Sequence, residues 1–213
     1  MTSLVSKIIH TLDHVRAFEK KSNDFPLDYW LKIYLDIPTL LRWAKLSRGL
    51  SILEVGCGTG KYSQTISKKI HCKNYTAIDA DTQTIIRAES KNAEDSKIIF
   101  QRADVLRLPF NKSSFDVVIM LDTLHHVADW RRAIREIKRV LKPKGKFLFR
   151  DYSMDTYSMP LLGIITRQIV DRPFDHMFDQ VEFSTCLSKS GFHITHQNDS
   201  SWFLLMVAEK TSQ

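Results

Sequence analysis

The spacing of apolar positions along the chain changes near residue 50. Before that point apolar residues recur at helical intervals, first from Val5 to Val15 and again from Leu27 to Tyr34, where Pro38 is expected to interrupt the helix. After it, short apolar runs alternate with helical segments, a pattern typical of a parallel sheet built from strand–helix–strand units. The pattern therefore predicts two N-terminal helices followed by an α/β domain.

The alternation predicts seven strands and four further helices. The strands are expected near residues 51–55, 75–79, 98–101, 116–121, 146–150, 193–197 and 202–208, and the helices near 60–70, 82–91, 129–142 and 179–189. Gly191 is expected to end the last helix. Only Asn198 to Ser201 join the last two strands, which is too short for a parallel crossover, so these strands should be antiparallel neighbours. The predicted fold class is α/β, with a seven-stranded, mostly parallel sheet and helices on both of its faces.

Composition agrees with one globular domain. The chain has 213 residues, of which 43% are hydrophobic and 26% charged, close to the average for soluble proteins. No run of 18 uncharged apolar residues and no signal-like block occurs, so we expect a cytoplasmic protein without a transmembrane segment. The three cysteines lack zinc-ligand spacing, which predicts free thiols and no metal site.

The formal charge of +7 is concentrated in one segment. Residues 131–146 contain eight basic side chains and only one acidic one, Glu136, which accounts for the whole excess. Arg131, Arg135, Lys138 and Lys142 lie opposite the apolar stripe of the predicted helix, so that face should be exposed. The face is expected to be either simply solvated or a contact for RNA or another anionic surface.

A glycine-rich loop follows the first predicted strand. Gly56, Cys57, Gly58, Thr59 and Gly60 form a turn between the strand and a helical segment that begins at Lys61. Glycines there permit positive φ and a close approach of the backbone to a ligand, while the helix N-terminus offers free N–H donors. This context predicts a binding site for a cofactor that contains a nucleoside.

Carboxylates end the first three predicted strands. Asp79 lies 19 positions after Gly60, where its carboxylate can accept both hydroxyls of an adenosine ribose, and Asp104 follows the third strand. Together with Glu54 they make the crevice acidic, which disfavours an anionic dinucleotide. Lys61 also stands where a dehydrogenase fingerprint needs a glycine. S-adenosylmethionine carries a sulfonium, an ammonium and no phosphate, and suits such a crevice better.

At these residues the chain resembles the class I S-adenosylmethionine-dependent methyltransferases, especially the small-molecule group related to ubiquinone-biosynthesis C-methyltransferases. The resemblance extends from about Leu50 to Phe149 and implies a Rossmann-like fold with S-adenosylmethionine as cofactor. Besides the glycine loop, its motifs are Ala103-Asp104-Val105 with Leu108-Pro109-Phe110, Phe115-Asp116-Val117-Val118, Leu124-His125-His126-Val127 and Arg139-Val140-Leu141-Lys142-Pro143. One departure is Pro143-Lys144-Gly145, where the family usually has two glycines.

The resemblance also implies which residues hold the cofactor. Glu54 and the glycine loop should face the methionyl part, Asp79 the ribose, and Asp104 with Val105 the adenine. Ala80 and Leu121, at the ends of the second and fourth strands, complete the expected set. The full set of predicted cofactor residues is Glu54, Gly56, Cys57, Gly58, Gly60, Asp79, Ala80, Asp104, Val105 and Leu121.

Methyl transfer is an in-line displacement, in which the protein must align the nucleophile and exclude water. A base is required only where the nucleophile carries a proton. Candidates follow the fourth and fifth strands, namely Asp122, His125, His126, Asp151 and Tyr152. The last four are the predicted catalytic residues. The alternative for the two histidines is that they shape the loop and pack against the cofactor without transferring a proton.

Two apolar segments are expected to contact the substrate. One precedes the sheet and contributes Tyr29 and Trp30; the other, from Asp151 to His176, contributes Met154 and Tyr157. The second is predicted to be a lid, with a helix that completes the core as the alternative. The expected parts of the single domain are then an N-terminal helical cap (1–47), a cofactor-binding core (48–150), the lid (151–176), and the last helix with the C-terminal strand pair (177–213).

The predicted function is methyl transfer from S-adenosylmethionine to an oxygen, nitrogen or carbon atom of a small, partly apolar molecule. A tRNA or other RNA substrate is one alternative, because Phe149-Arg150-Asp151-Tyr152 looks like the end of strand five in tRNA 3-methylcytidine methyltransferases. A catalytically silent, cofactor-binding interaction protein is another. Nothing in the sequence pattern indicates whether the protein is a monomer or an oligomer.

Overall fold

The computed structural model describes residues 30–93, 97–154, 177–198 and 203–212. The strands are β1 (Leu50–Val55), β2 (Cys72–Asp79), β3 (Ile98–Arg102), β4 (Phe115–Leu121), β5 (Leu141–Asp151), β6 (Phe192–Gln197) and β7 (Leu204–Lys210). The helices are α1 (Ile37–Ala44), α2 (Lys61–Lys69), α3 (Thr82–Lys91), α4 (Trp130–Val140) and α5 (Gln180–Lys189). A π-helical segment (Lys32–Asp36) precedes α1, and short 3₁₀ turns cover Val105–Arg107 and Leu124–His126.

All seven strands form one sheet in the order β3-β2-β1-β4-β5-β7-β6. Strands β1 to β5 are parallel to one another, and β7 lies antiparallel between β5 and β6. The predicted fold class and the antiparallel final pair are thus confirmed. The C-terminal ends of β1 to β5 share one edge of the sheet, where open α/β sheets bind ligands.

Helices bury both faces of the sheet. Ile52, Ile119 and Leu148 belong to the core formed with α1, α2 and α3, whereas Val118 and Phe149 belong to the core formed with α4 and α5. Neighbouring residues of a strand point to opposite faces, so a strand covered on both sides needs a continuous apolar run. This explains why β4 reads Phe-Asp-Val-Val-Ile-Met-Leu without alternation.

The prediction that Pro38 ends the second N-terminal helix is wrong. The π-helical segment leads directly into α1, and Pro38 occupies the first turn of α1. The change from π-helical to α-helical hydrogen bonding falls immediately before Pro38, where the Ile37 N–H still donates to the Lys32 carbonyl. The missing N–H of Pro38 therefore removes one backbone hydrogen bond at a junction where the bonding pattern already changes. The first predicted helix, Val5 to Val15, lies outside the described residues.

The boundary between the predicted helix 129–142 and the next strand is also corrected. The helix α4 ends at Val140, and β5 begins at Leu141, which pairs with Phe115 of β4. Lys142 is therefore a residue of the sheet, with its Nζ 2.8 Å from both carboxylate oxygens of Asp116. Pairing with β4 overrides the local helical periodicity here. Similarly, β2 begins at Cys72 rather than at residue 75 because Cys72 pairs with Leu50.

Candidate active site

The glycine loop lies at the C-terminal end of β1 and has a left-handed backbone at three positions. The φ angles of Gly56, Gly58 and Gly60 are +73°, +54° and +73°. The N–H groups of Gly56 and Cys57 donate to the carbonyl of Ile78 at 2.8 and 2.9 Å, which ties the loop to β2. Gly60 caps the start of α2, so the N-terminus of that helix opens at the same edge.

At two of these glycines neighbouring side chains leave no space for a Cβ atom, whereas the third faces open space. A Cβ on Gly56 would lie 2.7 Å from Thr123 Cβ and closer still to Oγ1, and one on Gly60 would lie 2.5 Å from Asn92 Nδ2. A Cβ on Gly58 would meet nothing within 4 Å. Gly58 is thus where the loop leaves room for a ligand to approach its backbone.

Asp79, at the end of β2, is hydrogen-bonded to the loop. Its Oδ2 accepts the Gly58 N–H at 3.0 Å, and its Oδ1 accepts the Asp81 N–H at 3.0 Å. The residue is only half-buried, and each carboxylate oxygen has a second lone pair. A vicinal diol fits such an acceptor pair. The next residue, Ala80, is exposed, and its carbonyl accepts a hydrogen bond from Arg102 Nε at 3.1 Å.

Asp104 and Val105 were predicted to contact adenine together, but only Asp104 is exposed. Asp104 is exposed after β3 and caps the following 3₁₀ turn, with its Oδ1 accepting the Leu106 N–H at 2.8 Å. The Val105 side chain is buried in the core, so Asp104 is the member of this pair that offers a side chain to a ligand. Leu121 ends β4 and is buried among the apolar residues beneath α1.

Glu54 is directed into the protein interior. It is 2% exposed, and its Oε2 accepts hydrogen bonds from the Ser63 hydroxyl at 2.5 Å and the Tyr75 hydroxyl at 2.9 Å. The carboxyl group therefore joins α2 to β2 directly behind the glycine loop. Burial raises its pKa to about 7, against the lowering effect of the two hydrogen bonds. Because Ser63 and Tyr75 are themselves buried, their hydroxyl groups bind the Glu54 carboxyl group in the interior. The pattern of the strand alone did not indicate this orientation of Glu54.

Glu54→Gln is expected to flatten the dependence of stability on pH. The pKa of Glu54 is higher in the folded chain than its ordinary value of 4.5, so its contribution to stability is complete below that value and is lost as the pH rises through about 7. Between about pH 5 and pH 8 the wild type should lose about 2 kcal/mol of unfolding free energy that the variant does not lose. Urea unfolding at several pH values measures this.

Asp116→Asn serves as the control for Glu54→Gln. Lys142 pairs with Asp116 and the pKa of Asp116 is lowered in the fold although burial acts to raise it, so its contribution changes only in more acidic solution. That variant should keep the wild-type slope above pH 5. An equal slope in Glu54→Gln and the wild type would show that Glu54 is ionised in the folded protein throughout this range.

A buried carboxylate organises the loop after β4. Asp151 is fully buried at the end of β5, and its Oδ2 accepts the N–H groups of Thr123, Leu124 and His125 at 3.0, 2.6 and 3.3 Å. Its Oδ1 accepts the Tyr152 N–H at 2.7 Å and is hydrogen-bonded to His125 Nδ1. The carboxylate thus fixes both the backbone and the imidazole of this loop.

The hydrogen bond to Asp151 gives the His125 ring a defined orientation. With a proton on Nδ1, the ring has Nε2 as its proton acceptor, the arrangement of a histidine base oriented by a carboxylate. His125 is 6% exposed, and the ring centroids of His126 and Tyr152 lie 3.9 and 6.0 Å from its own. His126 is exposed. The four predicted catalytic residues are therefore neighbours, with His125 and Asp151 in direct contact.

The predicted substrate residues are only partly within the described chain. Trp30 is 51% exposed and stacks on Tyr34 with 5.0 Å between ring centroids. Met154 is half-buried, and its N–H donates to the Phe178 carbonyl at 3.0 Å. Tyr29, Tyr157 and most of the expected lid (155–176) lie outside the described residues, so the lid stays a prediction.

Two residues that hold the glycine loop, Thr123 and Asn92, could not be predicted from the sequence. The Thr123 hydroxyl donates to the Leu121 carbonyl at 2.9 Å, and its side chain fills the space beside Gly56. Asn92, a buried residue at the end of α3, donates to the Ala88 carbonyl at 2.7 Å and lies against Gly60. An isolated threonine and an isolated asparagine carry no pattern signal, so only the folded chain identifies them.

Comparison with known proteins identifies the core. Residues 53–149 match the profile of a family described as a methyltransferase domain, and they contain the glycine loop, Asp79, Asp104 and His125. The core is a class I S-adenosylmethionine-dependent methyltransferase domain. The narrower likeness to ubiquinone-biosynthesis C-methyltransferases stays a prediction.

Curated relatives of this methyltransferase domain include methyltransferases from bacteria and fungi. A phthiotriol/phenolphthiotriol dimycocerosates methyltransferase from Mycobacterium tuberculosis is 32% identical over 130 residues, which cover 57% of this chain and 48% of that protein. The O-methyltransferase resE from Aspergillus sclerotiorum is 29% identical over 161 residues, which cover 73% of this chain and 59% of that protein. The chain thus spans about half the length of the curated relatives it matches.

Solved structures share the methyltransferase fold. A methyltransferase from Haloferax volcanii, solved with the methyltransferase activator Trm112, has a TM-score of 0.73 at 17% identity and covers 92% of this chain and 96% of its own. An S-adenosylmethionine-dependent methyltransferase from Mesorhizobium loti has a TM-score of 0.66 at 23% identity and covers 81% of this chain and 96% of its own. At these identities the likeness shows the fold.

In residues 30–93, 97–154, 177–198 and 203–212, no helix has the length and apolarity needed to cross a bilayer. The same residues contain no group of three or more histidine, cysteine or acidic side chains that could hold a metal ion.

Proposed function

We propose that this protein transfers the methyl group of S-adenosylmethionine to a hydroxyl group of a small, partly apolar molecule. The observation that carries the proposal is the pairing of His125 Nδ1 with the fully buried Asp151, beside the cofactor edge of the sheet. A base oriented by a carboxylate is useful where the nucleophile must lose a proton, as a hydroxyl must. The relatives named O-methyltransferases agree with this choice.

The residues at the edge of β1 to β3 fit the cofactor. Gly58 leaves open space beside its backbone, and the two oxygens of Asp79 suit a ribose diol. The exposed Asp104 suits an amino group of adenine. The exposed carboxylates at this edge would repel the phosphates of a dinucleotide, whereas S-adenosylmethionine has no phosphate. When bound, S-adenosylmethionine supplies an electrophilic methyl group on its sulfonium.

Chain residues provide the base and its orientation. Asp151 holds the His125 ring through Nδ1, and Nε2 accepts the hydroxyl proton as the acceptor oxygen attacks. The hydrogen bonds from the backbone N–H groups of Thr123 and Leu124 hold the Asp151 carboxylate in position. Burial of His125 limits competing proton exchange with water.

The charge distribution does not favour an RNA substrate. Arg131 and Arg135 are exposed on α4 as predicted, but Arg131 pairs with Glu182 and Lys138 is half-buried. Lys142 pairs with Asp116 in the sheet, so the predicted basic face is shorter and partly neutralised. A small-molecule acceptor and a cytoplasmic location both stay part of this proposal.

A labelled-methyl screen tests the proposed function. The protein is incubated with S-adenosylmethionine that carries a labelled methyl group, together with pools of hydroxylated apolar metabolites or total RNA. We expect label in the small-molecule pool as a methyl ether. Label in RNA would replace the proposal with the RNA alternative, and binding of the cofactor without any transfer would favour the catalytically silent alternative.

Asp79→Ala is expected to weaken cofactor binding by about 1 to 3 kcal/mol, roughly 5- to 150-fold in Kd, because hydrogen bonds to an ionised acceptor are lost. Calorimetry with S-adenosylmethionine and with its demethylated product measures the change. Asp81→Asn is the matched control, since it removes a charge two residues away while asparagine still caps α3. Equal Kd values for Asp79→Ala and the wild type would remove Asp79 from the site.

A further inference from the structure

Four buried or half-buried charged side chains and one phenol meet at the C-terminal edge of β4 and β5, on the face covered by the N-terminal helices. They are Lys32, Asp36, Asp122, Arg150 and Tyr152, here called the Arg150 cluster. Arg150 Nε lies 3.1 Å from Asp36 Oδ2, and its Nη1 pairs with Asp122 Oδ1. Lys32 pairs with the other carboxylate oxygen of Asp122.

Stability alone is a weak explanation for this cluster. Removing two cations and two carboxylates from water carries a desolvation cost that ion pairing often only just offsets. Burial would raise the pKa of Asp122, but Arg150 and Lys32 hold it below its ordinary value. Burial would likewise lower the pKa of Lys32, but Asp122 raises it. The charges of Asp122 and Lys32 thus depend on oppositely charged partners at hydrogen-bonding distance, so the cluster favours one geometry.

The cluster joins two separate parts of the chain. Lys32 and Asp36 are four residues apart in the π-helical segment, while Asp122 and Arg150 come from the ends of the neighbouring strands β4 and β5. Arg150 contacts both parts at once, because its guanidinium binds Asp36 on the helix and Asp122 on the sheet. The N-terminal helix is thereby held on the edge that carries the catalytic residues.

Arg150 also reaches the catalytic pair through Tyr152. Its guanidinium carbon lies 4.8 Å from the centroid of the Tyr152 ring, and Nη2 lies 3.5 Å from the phenol oxygen. The Tyr152 ring centroid is 6.0 Å from that of His125. Because Arg150 and Asp151 are consecutive in a strand, their side chains point to opposite faces of the sheet. Arg150 contacts Asp36 on the face covered by the N-terminal helix, and Asp151 contacts His125 on the other face.

A second connection runs through the backbone of Asp122. This residue has a left-handed φ of +48°, a conformation that aspartate tolerates better than most residues other than glycine, and its N–H donates to the Arg150 carbonyl at 2.8 Å. The next three residues, 123–125, present their N–H groups to Asp151. The two ion pairs of Asp122 therefore stabilise the turn that brings this loop to the carboxylate.

We propose that Arg150 is a positioning residue for methyl transfer. Together with Asp36 and Asp122, it holds the N-terminal helix on the catalytic edge and maintains the turn and the Tyr152 ring that keep His125 on Asp151. This inference rests on the proposed function for its catalytic consequence, but its structural consequence is independent of activity.

Asp36→Asn and Arg150→Lys test the inference. The first keeps the side-chain size and leaves Arg150 paired with Asp122; the second keeps the charge but lacks the planar fork that reaches two carboxylates. Asp116→Asn is the matched control, because it breaks an ion pair with Lys142 that joins the same two strands at their opposite end. The readouts are kcat, the Kd of S-adenosylmethionine, and hydrogen exchange of the amides of residues 123–125.

Both test variants should lower kcat by about tenfold or more, since misplacement of a catalytic group is costly, and should change the cofactor Kd by less than about twofold. Exchange of the 123–125 amides should be about tenfold faster, with no such change in Asp116→Asn.

Unchanged kcat and unchanged exchange in a folded Asp36→Asn would overturn the inference. If Arg150→Lys does not fold, Asp36→Asn decides alone. If the wild type transfers no methyl group, the proposed function fails, and the exchange comparison still decides the role of the cluster.

Discussion

His125→Ala is expected to lower kcat by about 100- to 10,000-fold, the usual contribution of a positioned general base. The Kd of S-adenosylmethionine should change little, because the glycine loop, Asp79 and Asp104 are untouched. As the pH rises, the residual rate of the variant should increase, since the acceptor hydroxyl then ionises without help. Initial rates with labelled S-adenosylmethionine and the acceptor from the screen measure both effects.

The neighbouring histidine supplies a matched control for this prediction. His126 is exposed beside His125, so His126→Ala removes the same ring without removing the one bonded to Asp151. We expect a change in kcat of only a few fold, roughly the effect of altered packing. Asp151→Asn should approach the loss seen for His125→Ala, because asparagine cannot reproduce both the ring bond and the backbone bonds. A His125→Ala variant that melts earlier but turns over normally would reduce His125 to a packing residue.

Gly56→Ala is expected to destabilise the protein by about 3 kcal/mol and to abolish measurable cofactor binding at ordinary concentrations. A left-handed backbone costs an alanine about 1 to 2 kcal/mol, and the overlap of its Cβ with Thr123 adds about 1 to 3 kcal/mol. Relief of that overlap must move either the loop or the residue that binds Asp151. Urea unfolding and calorimetry measure the two effects.

Gly49 separates the two causes of the loss in Gly56→Ala. Its φ of +75° nearly equals the +73° of Gly56, but a Cβ there would meet nothing within 4 Å. Gly49→Ala should therefore show the backbone cost alone, with normal cofactor binding. Adding Thr123→Gly to Gly56→Ala should recover the part due to overlap. Equal destabilisation by Gly49→Ala and Gly56→Ala would mean that the contact with Thr123 carries no energy.

The order of strands and helices could be predicted because it depends on neighbouring residues. The change from helical spacing to short apolar runs near residue 50 identified the α/β domain, and a four-residue link identified the antiparallel final pair. The glycine loop was also recognisable, since a strand, a turn of glycines and a helix follow one another directly. Predicted element boundaries were wrong where a residue distant in sequence determines them. Leu141, for example, begins a strand because it pairs with Phe115.

The sequence by itself also determined the residue types at the carboxyl ends of the strands, and so the acidic side chains predicted to hold the cofactor and the candidates His125 and Asp151. Only the tertiary structure decided how these groups are used. Parallel pairing of β4 with β5 brings His125 onto Asp151, 26 positions away, and pairing of β1 with β2 places Tyr75 where it bonds Glu54 in the interior. Such contacts depend on strand order and register, which local periodicity does not encode, because hydrogen bonds between strands join residues distant in sequence.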